Sequence, residues 1–174
     1  MKINAKYSIL IEHEDIETKR YFTTSHTSAG ALFELEELVK LVDESVKQLN
    51  RTLKSIWLTF ETKETTIYYS LHFPTSNKIF FIEGSEFVYS EKVLTNDLVW
   101  VYTYRDDCTD DLIGWTSVNK EYNHSPHAKT MVYTGQGVDV FVRSLIPLEK
   151  GLAGLTYFLE SGFGLDPQIS WEKA

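Results

Sequence analysis

The strongest pattern in the chain is helical. Leu32, Leu35, Leu38, Val39, Val42, Val46, Leu49 and Leu53 recur at three- and four-residue steps. Glu34, Glu37, Lys40, Glu44, Lys47 and Arg51 fill the opposite side. A stripe of this width marks an amphipathic helix lying against a core. The spacing predicts a helix over 29–51, with Ser28 as its N-cap and Gly30 weakening the first turn. Before it, 6–12 and 18–24 are rich in β-branched and aromatic residues and flank a polar stretch, which predicts a hairpin with a longer loop.

After the helix the period changes to two. Strands are predicted at 55–61, 65–73, 78–82, 98–104, 112–118, 129–134 and 138–143, with an edge piece at 87–89. Pro74 and Gly84 close two of them, and Gly135-Gln136-Gly137 reads as a hairpin connection with glycines available for positive φ. A second helix opens near Pro147, where a missing N–H costs little. Leu148, Leu152, Leu155 and Leu159 form its apolar stripe, and Gly151, Ala153 and Gly154 keep part of its surface small enough for close approach. Gly162 is its natural terminator. Beyond it, Phe163, Leu165, Ile169 and Trp171 make the final segment apolar enough to dock.

These elements predict an α+β fold: a curved, mostly antiparallel sheet packed by a long helix from the N-terminal half and by a C-terminal helix, both on one side. No Gly-, Ser- or Pro-rich linker or internal repeat interrupts the sequence, so a single domain over 1–174 is expected. An open barrel capped by helices is the alternative architecture.

Composition narrows the class. With 174 residues and 43% hydrophobic side chains, the chain is large enough to build a core without staples. The lone Cys108 excludes an intramolecular disulfide and Cys-rich zinc modules. No window holds 18 apolar residues, and Met1-Lys2-Ile3-Asn4-Ala5 does not open an apolar leader. The expectation is a cytoplasmic protein with no membrane partner.

The net charge is −8, and residues 57–125 carry 11 acidic against 5 basic side chains. Binding nucleic acid requires Lys and Arg to neutralise phosphates. The longest basic cluster here is Lys19-Arg20, so no direct nucleic-acid partner is expected.

Asp106, Asp107, Asp110 and Asp111 are the sharpest chemical feature. They follow the strand 98–104, in which Trp100, Tyr102 and Tyr104 share one face and Val99, Val101 and Thr103 the other. The valine face suits a core. The aromatic face, leading into four carboxylates, suits a protein partner, and a basic one would be steered by the charge. Asp106, Asp107, Asp110, Asp111, Trp100 and Tyr104 are therefore the candidate partner-binding residues. Cys108 lies among carboxylates that disfavour its thiolate.

Other constellations are thinner. His124 and His127 lack a third ligand at a recognised spacing, and His72 and His26 are isolated. Glu12, Glu14, Asp15 and Glu17 read as a second acidic loop without a visible shared cleft. The chain has no glycine-rich phosphate loop with its lysine, no Gly-x-Ser-x-Gly elbow and no His-Glu-x-x-His pair. No catalytic residue, metal ligand or cofactor is assigned, and enzymatic activity is left open.

The expected function is a non-enzymatic protein-binding domain, of the inhibitor or immunity type, that neutralises a basic target through an acidic and aromatic face. The alternatives are a small-molecule-binding domain or enzyme, with Tyr68, Trp100, Tyr102 and Trp115 lining a pocket in the curved sheet, and a structural homo-oligomer subunit joined through strand edges.

Overall fold

The computed structural model describes residues 1–48, 51–95, 97–106 and 113–174. In chain order the elements are β1 (Lys2–Ile3), β2 (Lys6–Asp15), β3 (Tyr21–Thr27), β4 (Phe33–Glu34), α1 (Leu35–Val46), β5 (Arg51–Glu61), β6 (Thr66–His72) and β7 (Lys78–Glu83). They continue with β8 (Glu86–Val93), β9 (Leu98–Asp106), β10 (Ile113–Val118), β11 (Lys129–Tyr133), β12 (Gly137–Phe141), β13 (Leu145–Pro147), α2 (Leu148–Glu160) and β14 (Ser170–Lys173).

The class is the predicted one, a mostly antiparallel α+β fold whose sheets are curved but not closed. The expected single sheet is divided. The main sheet runs β14-β10-β9-β6-β5-β2-β3, with β13 also paired to β9, and a second sheet runs β12-β11-β7-β8. A two-stranded pair, β1 with β4, completes the set. At the point where β9 changes partner from β10 to β13, the Ser117 hydroxyl accepts from the Val101 N–H at 3.1 Å and donates to the Ser144 carbonyl at 2.7 Å. Backbone groups that the ladder leaves free at this switch are thereby satisfied.

Both helices cover one face of the main sheet. Leu38 and Val42 of α1 and Leu155, Phe158 and Leu159 of α2 bury against Tyr7, Ile9, Ile56, Leu58, Phe60, Ile67, Tyr69, Leu71, Val99 and Val101. The valine face of β9 is thus a core face, as its pattern predicts. Gly154 allows α2 to sit this close: a Cβ there would lie 2.6 Å from Ile169 Cδ1 and 2.8 Å from the Tyr69 hydroxyl oxygen. The Tyr69 hydroxyl donates to the Gly151 carbonyl at 2.9 Å, pinning helix to sheet.

α1 is shorter than the predicted 29–51. Its apolar face is correct at Leu35, Leu38 and Val42, with Val39 and Val46 half-buried. Its start is not at Ser28. The Ser28 hydroxyl instead accepts the Tyr7 N–H at 3.0 Å and donates to the Gly30 carbonyl at 3.1 Å, closing the end of the β2–β3 ladder. Phe33 is drawn into β4, where its ring meets Tyr7 edge-on at 4.8 Å. The N-cap is Glu34, which makes no side-chain cap bond, and Leu32 is exposed. At the other end Arg51 already pairs with Asp15 in the sheet, so Leu53 belongs to β5. Leu49 lies outside the described residues. The predicted hairpin of 6–12 and 18–24 is β2–β3, but β2 runs on to Asp15 and the returning strand is displaced along the chain, from 18–24 to Tyr21–Thr27. α2 begins directly after Pro147 and ends before Gly162, whose φ is +73°. Among the described residues no helix is long and apolar enough to cross a membrane.

Candidate functional site

The face of the main sheet opposite the helices carries a band of aromatic rings. Cross-strand register builds it. Glu12, Ser55, His72 and Trp100 lie in one row across β2, β5, β6 and β9. Leu10, Trp57, Ser70 and Tyr102 form the next row, and Ser8, Thr59, Tyr68 and Tyr104 the third. Residues directly opposite in antiparallel strands share a face, so these side chains all stand on the helix-free side.

The rings contact one another in sequence. Trp57 meets His72 edge-on at 4.7 Å, His72 lies 5.1 Å from Trp100, and Trp100 and Tyr104 each lie 5.6 Å from Tyr102. Tyr104 stacks on Tyr68 at 4.1 Å. The Trp57 indole N–H donates to Ser55 Oγ at 2.9 Å. Apart from buried His72, these side chains are half-buried. The band begins at Trp100 beside a second apolar cluster of Leu94, Ala128, Val132, Val142 and Leu145. Gly114 makes room at the far end, because the Tyr102 hydroxyl lies 2.8 Å from where a Cβ would stand.

The two rings of the band whose ionisation is shifted, Tyr104 and His72, are both held in their neutral forms. Burial first, then the hydrogen bond and charge of Tyr68, push the Tyr104 phenol up to about 12. His72 is pushed down to about 4 by burial. Its Nδ1 lies 2.8 Å from the Tyr133 carbonyl and its Nε2 2.9 Å from Ser70 Oγ. A carbonyl can only accept, so Nδ1 carries the proton and Nε2 accepts from the serine.

At one margin Asp106 is exposed, on the same alternation as Trp100, Tyr102 and Tyr104. At the other margin Glu14 lies 3.7 Å from the buried Lys54 amine. There Tyr21 and Tyr133 stack at 5.3 Å. The Tyr21 phenol is raised first by its hydrogen bond with Glu14, and the Tyr133 phenol by burial and then by the Glu12 carboxylate.

The structure thus places three of the six predicted partner residues together: Trp100 and Tyr104 in the band and Asp106 beside it. Asp107, Asp110 and Asp111 lie outside the described residues, as does Cys108. Two readings need correction. Glu12 and Glu14 are not in a loop but in β2, and their neighbours are Tyr133, Tyr21 and Lys54. The turn is made by Asp15, whose Oδ1 accepts the Glu17 and Thr18 N–H groups at 2.9 and 2.8 Å and is held below the usual carboxylate range chiefly by the Thr18 bond. Trp115 pairs with Thr103 and so faces the helix side, away from Tyr68, Trp100 and Tyr102. Those four aromatics line no common pocket.

Trp57 and His72 join the band without having been assigned to it from sequence, and Tyr68, expected beside Trp100 and Tyr102 only as part of a pocket lining, stacks on Tyr104 instead. Strand parity alone would have aligned them with Trp100, had the pairing register been known.

A cavity of about 390 Å³ lies elsewhere, against the second cluster, between Ile79 and Phe81 of β7, Leu94 and Leu98, and Tyr122 and His124. Among the described residues lining it, Lys92 is the one formally charged side chain. His124 and His127 are exposed, and His124 packs edge-on against Tyr122 at 5.6 Å. Among the described residues no group of three or more His, Cys, Asp or Glu side chains is gathered in metal-binding geometry.

The fold and band define a mostly antiparallel α+β protein in which, among the described residues, no helix covers the aromatic sheet face. Comparison with models of known protein families, with curated proteins and with solved structures finds no match to this chain.

Proposed function

We propose that the chain is a non-enzymatic protein-binding domain whose helix-free aromatic face engages a basic protein partner. The observation that supports this reading is the continuous ring band from Trp57 to Tyr68, half-buried rather than enclosed and bordered by carboxylates. Large, rigid side chains of this kind dominate protein interfaces and lose little entropy when covered. The Tyr104 phenol stays neutral and keeps its hydrogen-bonding capacity, while the carboxylates at the margins and the net charge of −8 steer a cationic protein toward the band. An inhibitor or immunity-type protein that neutralises a basic target has this chemistry.

The test uses the full chain as bait in a lysate of its own source, beside the double variant Trp100→Ser/Tyr104→Ser. A basic protein retained by the wild type and lost by the variant is expected. Its association rate is then measured at two ionic strengths with Asp106, Asp107, Asp110 and Asp111 changed to asparagine. Neutralisation should slow association at low salt, with the difference shrinking as salt screens the attraction. A partner held equally by wild type and double variant, at rates that neutralisation leaves unchanged, overturns the proposal.

One observation favours a second reading. The cavity beside β7 is walled by apolar side chains with Lys92 at its lining, which suits a small apolar ligand bearing one negative charge. Titration with a medium-chain fatty acid and with the matching alcohol separates the readings. Tight, saturable binding of the acid, abolished by Ala128→Trp, supports a ligand site, and no binding of either removes it.

A further inference from the structure

We propose that β3 is the pairing edge of a two-fold dimer, in which β3 of a second copy adds antiparallel to it and joins the two main sheets. This goes beyond the proposed partner binding and does not depend on it.

An unpaired sheet edge is a template for another strand, and proteins normally blunt such edges with charge, proline, shortness or a bulge. The other sheet ends show these devices. β8 carries Glu86, Glu91 and Lys92 and faces a register shift between Lys78 and Phe80. β14 is 4 residues long and includes Glu172 and Lys173. β12 is 5 residues long and contains Gly137 and Asp139. β3 shows none of them. Its 7 residues, Tyr21-Phe22-Thr23-Thr24-Ser25-His26-Thr27, contain no Asp, Glu, Lys, Arg, Pro or Gly. The ladder to β2 holds one register from Glu14↔Tyr21 to Ser8↔Thr27. All of β3 except Phe22 is exposed.

The hydrogen-bond phase shows which groups the edge offers. The Asp15 N–H donates to the Arg20 carbonyl, and the Ser28 N–H to the Tyr7 carbonyl, both at 3.0 Å. Even-numbered positions therefore bond toward β2. By antiparallel alternation, Tyr21, Thr23, Ser25 and Thr27 direct their N–H and C=O groups outward.

A two-fold axis at Thr24 pairs Tyr21 with Thr27 of the second copy and Thr23 with its Ser25, so every outward group finds a partner. On the helix side, Thr24 meets its own copy and Phe22 meets His26. These are threonine and aromatic pairs of the kind that stabilise sheets, and no like charges are opposed. The strand is self-complementary about its centre, which is the property an isologous interface requires. With −8 on each copy, long-range repulsion opposes association, so salt should strengthen the dimer.

The test is sedimentation velocity on the full chain across a wide concentration range at low and high salt. It is run with wild type, Thr23→Lys/Ser25→Lys and Thr23→Lys/Ser25→Glu. Wild type should give a concentration-dependent dimer that tightens with salt. The double lysine variant opposes like charges across the axis and should be monomeric, with an unchanged circular dichroism spectrum. The lysine–glutamate variant opposes unlike charges only in the register centred on Thr24 and should regain the dimer.

Amide hydrogen exchange supplies an independent readout. The Thr23 and Ser25 amides should be protected in concentrated wild type and exposed after dilution. A monomeric wild type with both amides unprotected overturns the proposal. So does a dimer insensitive to the lysine pair, or failure of the lysine–glutamate variant to recover it.

Discussion

Acidification should selectively cost the folded state the stability stored around His72. The ring is 1% exposed and sits between Trp57 and Trp100, with Nδ1 donating to the Tyr133 carbonyl. Its folded-state pKa is about 4 against an ordinary 6.5. In that interval the unfolded chain binds a proton that the folded chain refuses. Stability is therefore complete above the unfolded value of 6.5 and falls as pH drops toward the folded value. The slope approaches about 1.4 kcal/mol per pH unit, and the total is about 3 kcal/mol. Such a loss is a large share of a domain's usual 5–15 kcal/mol.

Urea unfolding of wild type and His72→Gln between neutral pH and pH 4 measures it. The variant is expected to be less stable at neutral pH but flatter toward acid. The carboxylates held low by their partners, Asp15, Asp139 and Glu172, contribute equally to both proteins, so the difference between the curves isolates the imidazole. Parallel curves, or an imidazole whose NMR shifts titrate near the ordinary histidine value, would refute the burial argument.

Three further outcomes are expected. Leu38→Ala removes a fully buried side chain and should cost about 2–5 kcal/mol in urea unfolding, whereas Glu44→Ala, on the exposed face, should stay within about 0.5 kcal/mol. Gly154→Ala should destabilise by about 1–2 kcal/mol despite alanine's better helix propensity, because its Cβ meets Ile169 Cδ1 and the Tyr69 hydroxyl; the double variant with Ile169→Val should be more stable than the sum of the single effects allows. Gly114→Ala should displace the Tyr102 ring and alter the near-ultraviolet dichroism of the band while leaving the far-ultraviolet spectrum unchanged, and an unaltered aromatic signal would show that the close approach at Gly114 does not constrain the ring.

Local pattern was sufficient for much of this molecule. The three- and four-residue spacing of Leu35, Leu38 and Val42 specified a helix and its buried side, because a helix turns at a fixed angle per residue whatever it packs against. Alternation in 98–104 separated Val99 and Val101 from Trp100, Tyr102 and Tyr104 for the same reason. Pro147 and Gly162 bounded α2 through backbone geometry alone. What tertiary structure decided was competition and adjacency. Residues 28–34 have helical periodicity, yet Ser28 and Phe33 are taken by β2 and β1, whose long-range hydrogen bonds and ring contacts outweigh the weak preference of a helix's first turn.

The division into two sheets, the row that aligns Glu12 with His72 and Trp100, and the exclusion of Trp115 from their face all depend on register. A shift of a single residue in register moves every side chain to the other face, and one sequence carries no direct record of which strands pair. The chain's pattern thus specified which side chains share a strand face, and only the folded sheet decided which of those faces would meet to form an aromatic band.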